Sequence, residues 1–597
     1  MMRGFGRRLG PSRPLRFALG GASALALAWG GRTLAAEPAG ADAPLSPASA
    51  PAPAAATSPG EVIVAASAAA PAHAAEAAAP SDNPYAQLGA NPLVRFWNYQ
   101  ILELGKAAAP VDPSAPPAPP SIRDGWPAVP QTNPPMPFTD WPYGGTTLIG
   151  DNRTASVDSP LMVALAPTAL GKAMTSAGIQ AYGWVDYGGN ISTSKLKGGN
   201  APAAYDYNPN NVQLDQAVIY IERTPDTVQT DHIDWGFRLS AIYGENYRYT
   251  TAYGVASYQL LKYNKFYGYD FPMVYGELWL PQIAQGMVVR VGRYISLPDI
   301  EAQLAPNNYM YTHSIGYTFD NYTNEGVQTT IAITKQFMLQ LGVSAGTEAA
   351  VWHLGERLTN LFPNTPADLA QINNALGTNL TNANPLYPGS TYRKDPGAQP
   401  SGTLCVRYQT MSGGDNLNLC VNAINSGQWG YNNLQWYGFT YYHKFDAHWH
   451  VSVEVYNEHQ DGVPNANNQV VQYVYSNGGT PFSPQYMPYN APGLAYCKDH
   501  VAYRCQADAQ AALAYWNYSP DPLDNVSLRT EYYDDMQGQR TGFAAVYYDV
   551  GLGWQHWLSP QIELRPEYTW YHSSAHSFDL GNKKQEGVFA GDIIAHF

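Results

Sequence analysis

His313 and Ser314 stand side by side in the chain, and they are the residue types that a hydrolase uses as base and nucleophile. A hydrolytic site would also need an acid that orients the histidine. Because neighbouring residues of a strand point to opposite faces, we do not expect these two side chains to form a dyad. No nucleotide-binding loop, zinc motif or nucleophile elbow stands at a convincing position. The sequence therefore predicts a protein that is not an enzyme and that uses no cofactor or metal.

Charged residues offer electrostatic chemistry instead. In several segments polar and apolar residues alternate, and the alternation places the charges on one face of each segment. The charges placed in this way are Asp234, Arg238, Arg290, Arg529, Glu531, Glu563, Arg565 and Glu567. In a membrane-spanning strand a charge that faces lipid at the midplane would cost about 2–4 kcal/mol. We therefore expect these side chains to point into a hydrated interior.

The end of the chain shows which kind of strand could hold such charges. Residues 587–597 alternate, and one face (Phe589, Gly591, Ile593, Ala595 and Phe597) suits lipid. Alternation over about ten residues is the length that a strand needs to cross a bilayer. A final strand that ends on an aromatic residue is typical of bacterial outer-membrane β-barrels, in which the terminal Phe is part of the assembly signal. The alternative is an ordinary half-buried strand of a soluble sandwich.

Composition favours the barrel. Only 13% of the 597 residues are charged, compared with roughly 25% in soluble domains, and 44 residues are Tyr. The mean hydropathy is −0.30, and no apolar run after the N-terminus has the length of a transmembrane helix. The net charge of −14 and the lack of basic clusters argue against nucleic acid as a partner.

The N-terminal part predicts export. Residues 1–36 have the basic start, short apolar core and small residues of a signal peptide. An Ala/Pro-rich leader at 37–83 is too poor in apolar side chains to fold. Residues 84–106 predict a short amphipathic helix whose apolar stripe is Leu93, Phe96, Trp97, Ile101 and Leu104. This helix either docks into and plugs the barrel or packs on its periplasmic rim. A Pro-rich spacer and lead-in at 107–178 precede the barrel at 179–597.

The four cysteines form two close pairs in the chain. Because export places them in an oxidising compartment, we expect two disulfides, Cys405–Cys420 and Cys497–Cys505, both in outer loops. Metal binding is not expected, because no further Cys or His completes a close ligand cluster.

About fourteen strands, within a range of twelve to sixteen, are predicted for an all-β transmembrane antiparallel barrel. They are 179–191, 213–223, 232–243, 272–280, 287–294, 323–334, 337–346, 433–444, 449–457, 510–518, 525–534, 542–557, 561–571 and 587–597. With the first strand running outward, every predicted periplasmic turn is short, and the long connections 347–432 and 458–509 are outside. Pro566 cannot donate a ladder hydrogen bond, so a local distortion is expected there.

Several segments carry a family resemblance. They are 181–186 (AYGWVD), 214–217 (LDQA), 305–314 (APNNYMYTHS) and the closing run from 528–532 (LRTEY) through 563–567 (ELRPE) to Phe597. In this order they resemble the OmpL-like β-barrel porin family over roughly residues 140–597. The resemblance implies a channel of the bacterial outer membrane whose substrate is poorly defined. The long leader and the size of the cysteine-bearing connections are peculiar to this chain, and they leave open whether its pore is as open as the resemblance implies.

The stretch 295–314 contains Asp299 and Glu301 and follows the strand that carries Arg290. In general porins the loop after a comparable strand folds inward and narrows the pore. Carboxylates on this stretch would then face wall arginines across a gap and act on passing ions through a transverse field. The alternative is that the charges only hydrate the lumen and pair with one another.

The sequence therefore predicts passive diffusion of small hydrophilic solutes through an outer-membrane porin. The alternative is a closed structural or adhesive barrel whose outer loops bind a partner. The expected partners are outer-membrane lipid, small solutes and the barrel-assembly machinery, which would recognise the C-terminal strand. An energised transporter is not expected, because the barrel region is too short for roughly twenty-two strands and a plug.

Overall fold

A computed structural model describes the chain from Tyr85 to Phe597 with gaps. The described residues are 85–104, 149, 159–203, 205–252, 254–261, 263, 265–295, 299–353, 357–358, 365–381, 393–394, 398–412, 414–427, 433–477, 494–521 and 523–597. The predicted signal peptide, the leader and most of the spacer lie outside these residues.

Sixteen antiparallel strands close into a barrel within the described part of the chain. The first eight are β1 (Ile179–Ser192), β2 (Val212–Arg223), β3 (Asp234–Gly244), β4 (Gly268–Asp270 and Val274–Leu280), β5 (Met287–Ile295), β6 (Thr323–Ala332), β7 (Phe337–Thr347) and β8 (Ser401–Gln409). The others are β9 (Asp415–Ile424), β10 (Gln435–Lys444), β11 (Trp449–Pro464), β12 (Arg504–Asp521), β13 (Asp524–Asp535), β14 (Ala545–Ser559), β15 (Ile562–Leu564 and Glu567–Ser573) and β16 (Gln585–His596). β16 pairs with β1 from Trp184 opposite His596 to Ser192 opposite Val588, and this pairing closes the barrel.

The described residues also form seven short α-helices. They are α1 (Pro92–Glu103), α2 (Pro160–Leu165), α3 (Ala169–Ser176), α4 (Tyr258–Leu261), α5 (Ile315–Phe319), α6 (Pro366–Leu376) and α7 (Gln469–Ser476). Three 3-10 turns occur at Ala86–Leu88, Glu245–Tyr249 and Ala305–Asn307, and a separate two-stranded sheet joins Arg357–Leu358 to Arg393–Lys394. None of the helices in the described ranges has the length and apolar composition that crossing a membrane requires.

Side chains alternate between the two faces of the wall, as the sequence predicts. On β13, Arg529 and Glu531 point into the lumen and are buried, whereas Leu528 points outward and is exposed. On β14 the outward set includes the exposed Leu552 and Trp554. The apolar outer face suits lipid, and the polar groups are gathered inside.

The sixteen strands lie at the upper limit of the predicted range of twelve to sixteen. The two strands beyond the fourteen predicted ones are the hairpin of β8 and β9, which lies within the predicted outer loop 347–432. The prediction that Cys405–Cys420 lies in an outer loop was therefore wrong. Cys405 on β8 is directly opposite Cys420 on β9, and their disulfide crosses two neighbouring wall strands. The second disulfide, Cys497–Cys505, joins the outer connection 465–503 to the start of β12.

The distortion predicted at Pro566 is confirmed. β15 is interrupted between Leu564 and Glu567, and the carbonyl of Pro566 still accepts from the Trp554 N–H at 3.0 Å. A missing amide hydrogen therefore breaks the ladder locally and does not end the strand.

The amphipathic helix is present as α1, but its apolar stripe is not its packing face. Asn91 caps it by accepting from the N–H groups of Leu93 and Val94, and Pro92 occupies the first turn. Gln100 donates to the His596 carbonyl at 2.9 Å, which places α1 at the periplasmic end of the barrel, beside the end of β16. The packing face carries Arg95 and Tyr99, while most of the predicted stripe is exposed.

Candidate functional site

The connection between β5 and β6 lies inside the barrel. We call its described part, residues 299–322, the lumenal segment. Every residue of this segment is buried, although only the Ala305–Asn307 turn and α5 are regular. An irregular chain buried in this way carries backbone N–H and C=O groups that need partners. The barrel wall supplies many of them.

Wall carboxylates accept hydrogen bonds from the segment's amides. Glu454 on β11 accepts from the Ile300 N–H at 2.9 Å. Glu567 on β15 accepts from both the N–H (3.1 Å) and the hydroxyl of Thr312. Glu531 on β13 accepts from the first N–H groups of α5, at 2.8 Å from Ile315. A carboxylate at a helix N-terminus is favoured because it meets unpaired N–H donors.

Wall arginines donate to the segment's carbonyl oxygens. Arg529 donates to Thr312 O at 2.7 Å, and Arg565 donates to Asn308 O at 3.2 Å. Both guanidinium groups are fully buried, and each is balanced by a carboxylate of a neighbouring strand. Arg529 lies 3.2 Å from Asp549, and the Nε of Arg565 lies 3.0 Å from Asp592.

Neutral polar groups extend the attachment around the barrel. Tyr515 on β12 donates to Glu301 at 2.5 Å, and Tyr456 on β11 donates to the Gly316 carbonyl at 2.6 Å. On β2, Gln216 donates to Gln303 O at 2.7 Å and accepts from the Ala305 N–H at 3.1 Å. The segment therefore reaches from β11 to β2, on strands that are seven positions apart around the barrel.

The predicted acidic residues of the stretch 295–314 both lie in the lumen. Glu301 contacts Arg529 directly, at 4.0 Å, and accepts from the Ser314 N–H at 3.0 Å. Asp299 instead lies beside Asp320 and Glu454. The sequence predicts that carboxylates of this stretch face wall arginines across a gap. Glu301 and Arg529 are instead in direct contact.

The other predicted charges pair mainly with neighbours in the wall. Arg238 lies 2.6 Å from Glu222, and Arg290 lies 2.7 Å from Glu277, each on the adjacent strand. Asp234 lies 2.9 Å from Arg223 at the periplasmic start of β3. Glu563 accepts from Gln555 and lies 3.3 Å from His596. Whether any of these residues forms the constriction stays a prediction.

His313 and Ser314 lie on the lumenal segment and not on a strand, so the stated reason for rejecting a dyad was wrong. Their side chains nevertheless bond to other groups. The Ser314 hydroxyl caps α5 by accepting from the Tyr317 N–H at 3.0 Å, and it donates to Glu301. His313 Nε2 lies 2.7 Å from the Ala302 carbonyl, and its ring stacks on Tyr205.

Among the described residues one set of carboxylates is close enough to hold a cation. Asp299, Asp320 and Glu454 each place an oxygen within 4.8 Å of the others, and all three are buried. Carboxylates of this kind are ligands for calcium or magnesium. Acidic residues in proximity do not by themselves make a metal site, so no metal is assigned.

Sequence reasoning missed residues that hold the segment directly, such as Glu454, or through Arg529, such as Asp549. Glu454 and Asp549 lie on strands that were predicted, and alternation alone places them on the lumenal faces. Their partners could not be read from the pattern, because alternation gives the face of a side chain and not the segment it meets.

One known protein family matches the barrel region of the chain. Residues 178–597 match the family described as "Putative beta-barrel porin-2, OmpL-like". No curated protein matches the chain.

Solved structures of bacterial outer-membrane proteins are also similar to it. The anion-selective porin from Comamonas acidovorans is 12% identical with a TM-score of 0.39, over 70% of this chain and 99% of that one. The channel DcaP of Acinetobacter baumannii is 9% identical with a TM-score of 0.39, over 70% and 98%. OmpT of Vibrio cholerae is 10% identical with a TM-score of 0.37, over 70% and 99%. The family match covers more than half of the chain, and the chain therefore belongs to the OmpL-like β-barrel porins of the bacterial outer membrane.

Proposed function

We propose that this porin lets small hydrophilic solutes diffuse passively across the outer membrane, along a path limited by the lumenal segment. The single observation that carries the proposal is the polar contact between segment and wall. Glu454, Glu531, Glu567, Arg529 and Arg565 all bond to the segment's backbone. A lumen lined by charged and polar groups can be hydrated and can admit polar solutes, whereas an apolar plug would exclude them.

The segment also supports a preference for cations. Residues 299–322 contain three carboxyl groups, Asp299, Glu301 and Asp320, and no Lys or Arg. The wall arginines described above are largely balanced by wall carboxylates, such as Asp549 and Asp592. A solute that passes the segment therefore meets surplus negative charge, which attracts cations and repels anions.

Planar bilayer recording of the purified full-length protein tests the proposal. We expect steady channel openings, and a reversal potential in a potassium chloride gradient that favours potassium. A variant in which a short Gly/Ser linker replaces residues 300–318 should conduct more strongly than the wild-type protein and pass larger solutes. A folded wild-type barrel that never conducts would overturn diffusion as its function.

One observation favours a second candidate, a closed barrel whose outer connections bind a partner. Every residue of the lumenal segment is buried, so the segment occupies the lumen in the described conformation. The same recordings separate the two functions. A silent wild-type protein together with a conducting linker variant would favour the closed barrel.

A further inference from the structure

α1 presents an apolar stripe to its surroundings. Leu93, Val94, Trp97, Ile101 and Leu104 are each between 51% and 74% exposed. At about 100° per residue they share one arc of roughly 100° on the helix, and no polar residue interrupts that arc. Five large apolar side chains exposed together mark an interaction surface, whereas single exposed apolar residues are ordinary.

The opposite side of α1 is the side that packs on the protein. Arg95 is buried and donates to the carbonyls of Val163 (2.6 Å) and Tyr85 (2.7 Å). Tyr99 is fully buried, with Leu88 and Val163, in a small apolar cluster. A helix on the surface of a soluble protein would bury its apolar stripe and expose its polar side. α1 does the reverse, as expected of a helix whose outer surroundings are apolar.

Two hydrogen bonds place α1 beside the periplasmic end of the barrel. Gln100 donates to the carbonyl of His596, the last residue of β16, at 2.9 Å. Ser159, which caps α2, donates to the Ala181 carbonyl of β1 at 2.9 Å, and α2 in turn packs against α1. α1 is therefore tied to the place where the first and last strands meet.

The same level of the barrel carries its periplasmic aromatic residues. Trp235 is the second residue of β3, and Phe337 and Trp449 are the first residues of β7 and β11. These three strands start at the periplasmic side, and the three aromatic side chains are exposed on the outer face of the barrel. Outward aromatic residues at strand ends mark the boundary between lipid and water. The apolar stripe of α1 therefore lies at the same height along the barrel axis as the periplasmic edge of the lipid-facing surface.

We propose that α1 lies in the periplasmic leaflet of the outer membrane, with its apolar stripe among the phospholipid acyl chains. Interfacial helices bind in this way when one face is apolar, with Trp and Leu on the inserted side. Lys or Arg is absent from the outer surface of α1, because its single basic residue, Arg95, is buried. Attachment therefore depends on acyl chains and not on anionic headgroups.

Spin labelling of the full-length protein in phosphatidylcholine vesicles tests this proposal. All four native cysteines are in disulfides, so a single introduced cysteine can be labelled selectively. The variants are Trp97→Cys and Ile101→Cys on the stripe, Asn98→Cys at an exposed polar position outside the stripe, and Ile593→Cys on the lipid face of β16. We expect the stripe labels to collide several-fold more with oxygen, relative to a water-soluble nickel complex, than the label at 98, and to resemble the label at 593.

Labels at 97 and 101 that are as accessible to nickel as the label at 98 would overturn the proposal. Spin–spin broadening at 97 that disappears on dilution with unlabelled protein would also overturn it, because a second copy would then cover the stripe. Vesicles that contain phosphatidylglycerol should give the same accessibility. A marked dependence on the anionic lipid would contradict attachment through acyl chains.

Discussion

Arg529 donates through Nη1 to the Thr312 carbonyl at 2.7 Å, so a buried wall charge holds the backbone of the lumenal segment. The same guanidinium lies 3.2 Å from Asp549, which balances its charge within the wall. A buried charge can persist only when it is paired and hydrogen-bonded, and this one uses the segment to complete its bonds. The wall and the segment therefore depend on each other.

Arg529→Gln should loosen the segment. Removing one partner of a buried pair costs about 3–5 kcal/mol, because the remaining charge is left uncompensated. We expect higher and more variable single-channel conductance, with the barrel still heat-modifiable on gels. Lys444→Gln is the matched control, since Lys444 is exposed at the periplasmic end of β10. Equal conductance in both variants and the wild type would show that Arg529 does not hold the segment.

The two disulfides should be found by mass spectrometry of a non-reduced digest, as Cys405–Cys420 and Cys497–Cys505 links. Cys405 and Cys420 are 15 residues apart, for which chain entropy gives a stabilisation of about 3 kcal/mol. We expect Cys405→Ser/Cys420→Ser to lower the urea midpoint of the folded barrel. Cys497→Ser/Cys505→Ser should affect it less, because that bridge closes the shorter loop of 8 residues. Crossed links or free thiols would contradict the pairing.

Alternation along the sequence was sufficient to predict most of the wall, because a strand between lipid and water must separate its two kinds of side chain. The hairpin of β8 and β9 shows where the argument failed. Leu404 and Val406 face outward and Cys405 faces inward, so the alternation is present. The sequence prediction instead places both strands within the long outer connection 347–432, and the Cys405–Cys420 disulfide with them, although a disulfide can also join neighbouring strands.

The candidate site was less predictable, for a physical reason. Charge and alternation place Arg565 and Glu567 in the lumen, but they do not reveal that both bond to residues more than 250 positions earlier. Contacts of this kind depend on the path of an irregular segment, and the alternation of polar and apolar residues does not predict that path. The sequence pattern also could not predict which face of α1 packs on the protein, because an apolar stripe fits a protein core and a lipid leaflet equally well.

Phe597 should matter for assembly. Its N–H and C=O both pair with Gly183 of β1 at 2.8 Å. A Cβ at Gly183 would lie 2.7 Å from the Phe597 ring, so the ring covers this glycine closely. Deleting Phe597 removes these contacts at the closing pair of strands, and we expect less heat-modifiable barrel in the outer membrane. Phe589→Ala, on the lipid face of the same strand, is the control, and normal insertion of the truncated protein would contradict the prediction.

We expect Asp579 to hold together two outer connections, the one between β1 and β2 and the one between β15 and β16, in a pH-dependent way. Its carboxylate accepts from the N–H groups of Lys195 and Leu196, each at 2.9 Å. These bonds, that of Lys195 first, lower the pKa of Asp579 below its ordinary value of 3.8. Because the pKa of Asp579 is lowered in the folded state, the ionised carboxylate stabilises this contact fully above about pH 4. The stabilisation is lost as the pH falls through the folded-state pKa.

Hydrogen exchange of the Lys195 and Leu196 amides measures this fastening. After correction for intrinsic rates, we expect protection at pH 6 that declines below about pH 4. Asp579→Ala should remove the protection at both pH values, while Asp231→Ala, in an exposed periplasmic turn, should leave it intact. Protection that is unchanged in Asp579→Ala would show that other contacts order this connection.

The carboxyl groups of the lumenal segment should set the ion preference. Asp299→Asn/Glu301→Gln removes up to two negative charges while keeping the shape of both side chains, so permeability should shift toward anions. Arg238→Gln/Arg565→Gln should shift it toward cations. Coulomb energies of about 1 kcal/mol in water, and more in a confined lumen, correspond to several-fold changes in the permeability ratio, and the pore should stay conducting.

The reversal potential in a salt gradient measures both shifts. Asp446→Asn is the control for lost negative charge, because Asp446 is exposed in the periplasmic turn after β10. Glu301 also accepts from Ser314 and Tyr515, so Gln at this position keeps an acceptor and limits structural change. If both double variants leave the reversal potential at the wild-type value, these charges serve to hold the segment and do not select ions. The path of solutes would then lie away from Asp299 and Glu301.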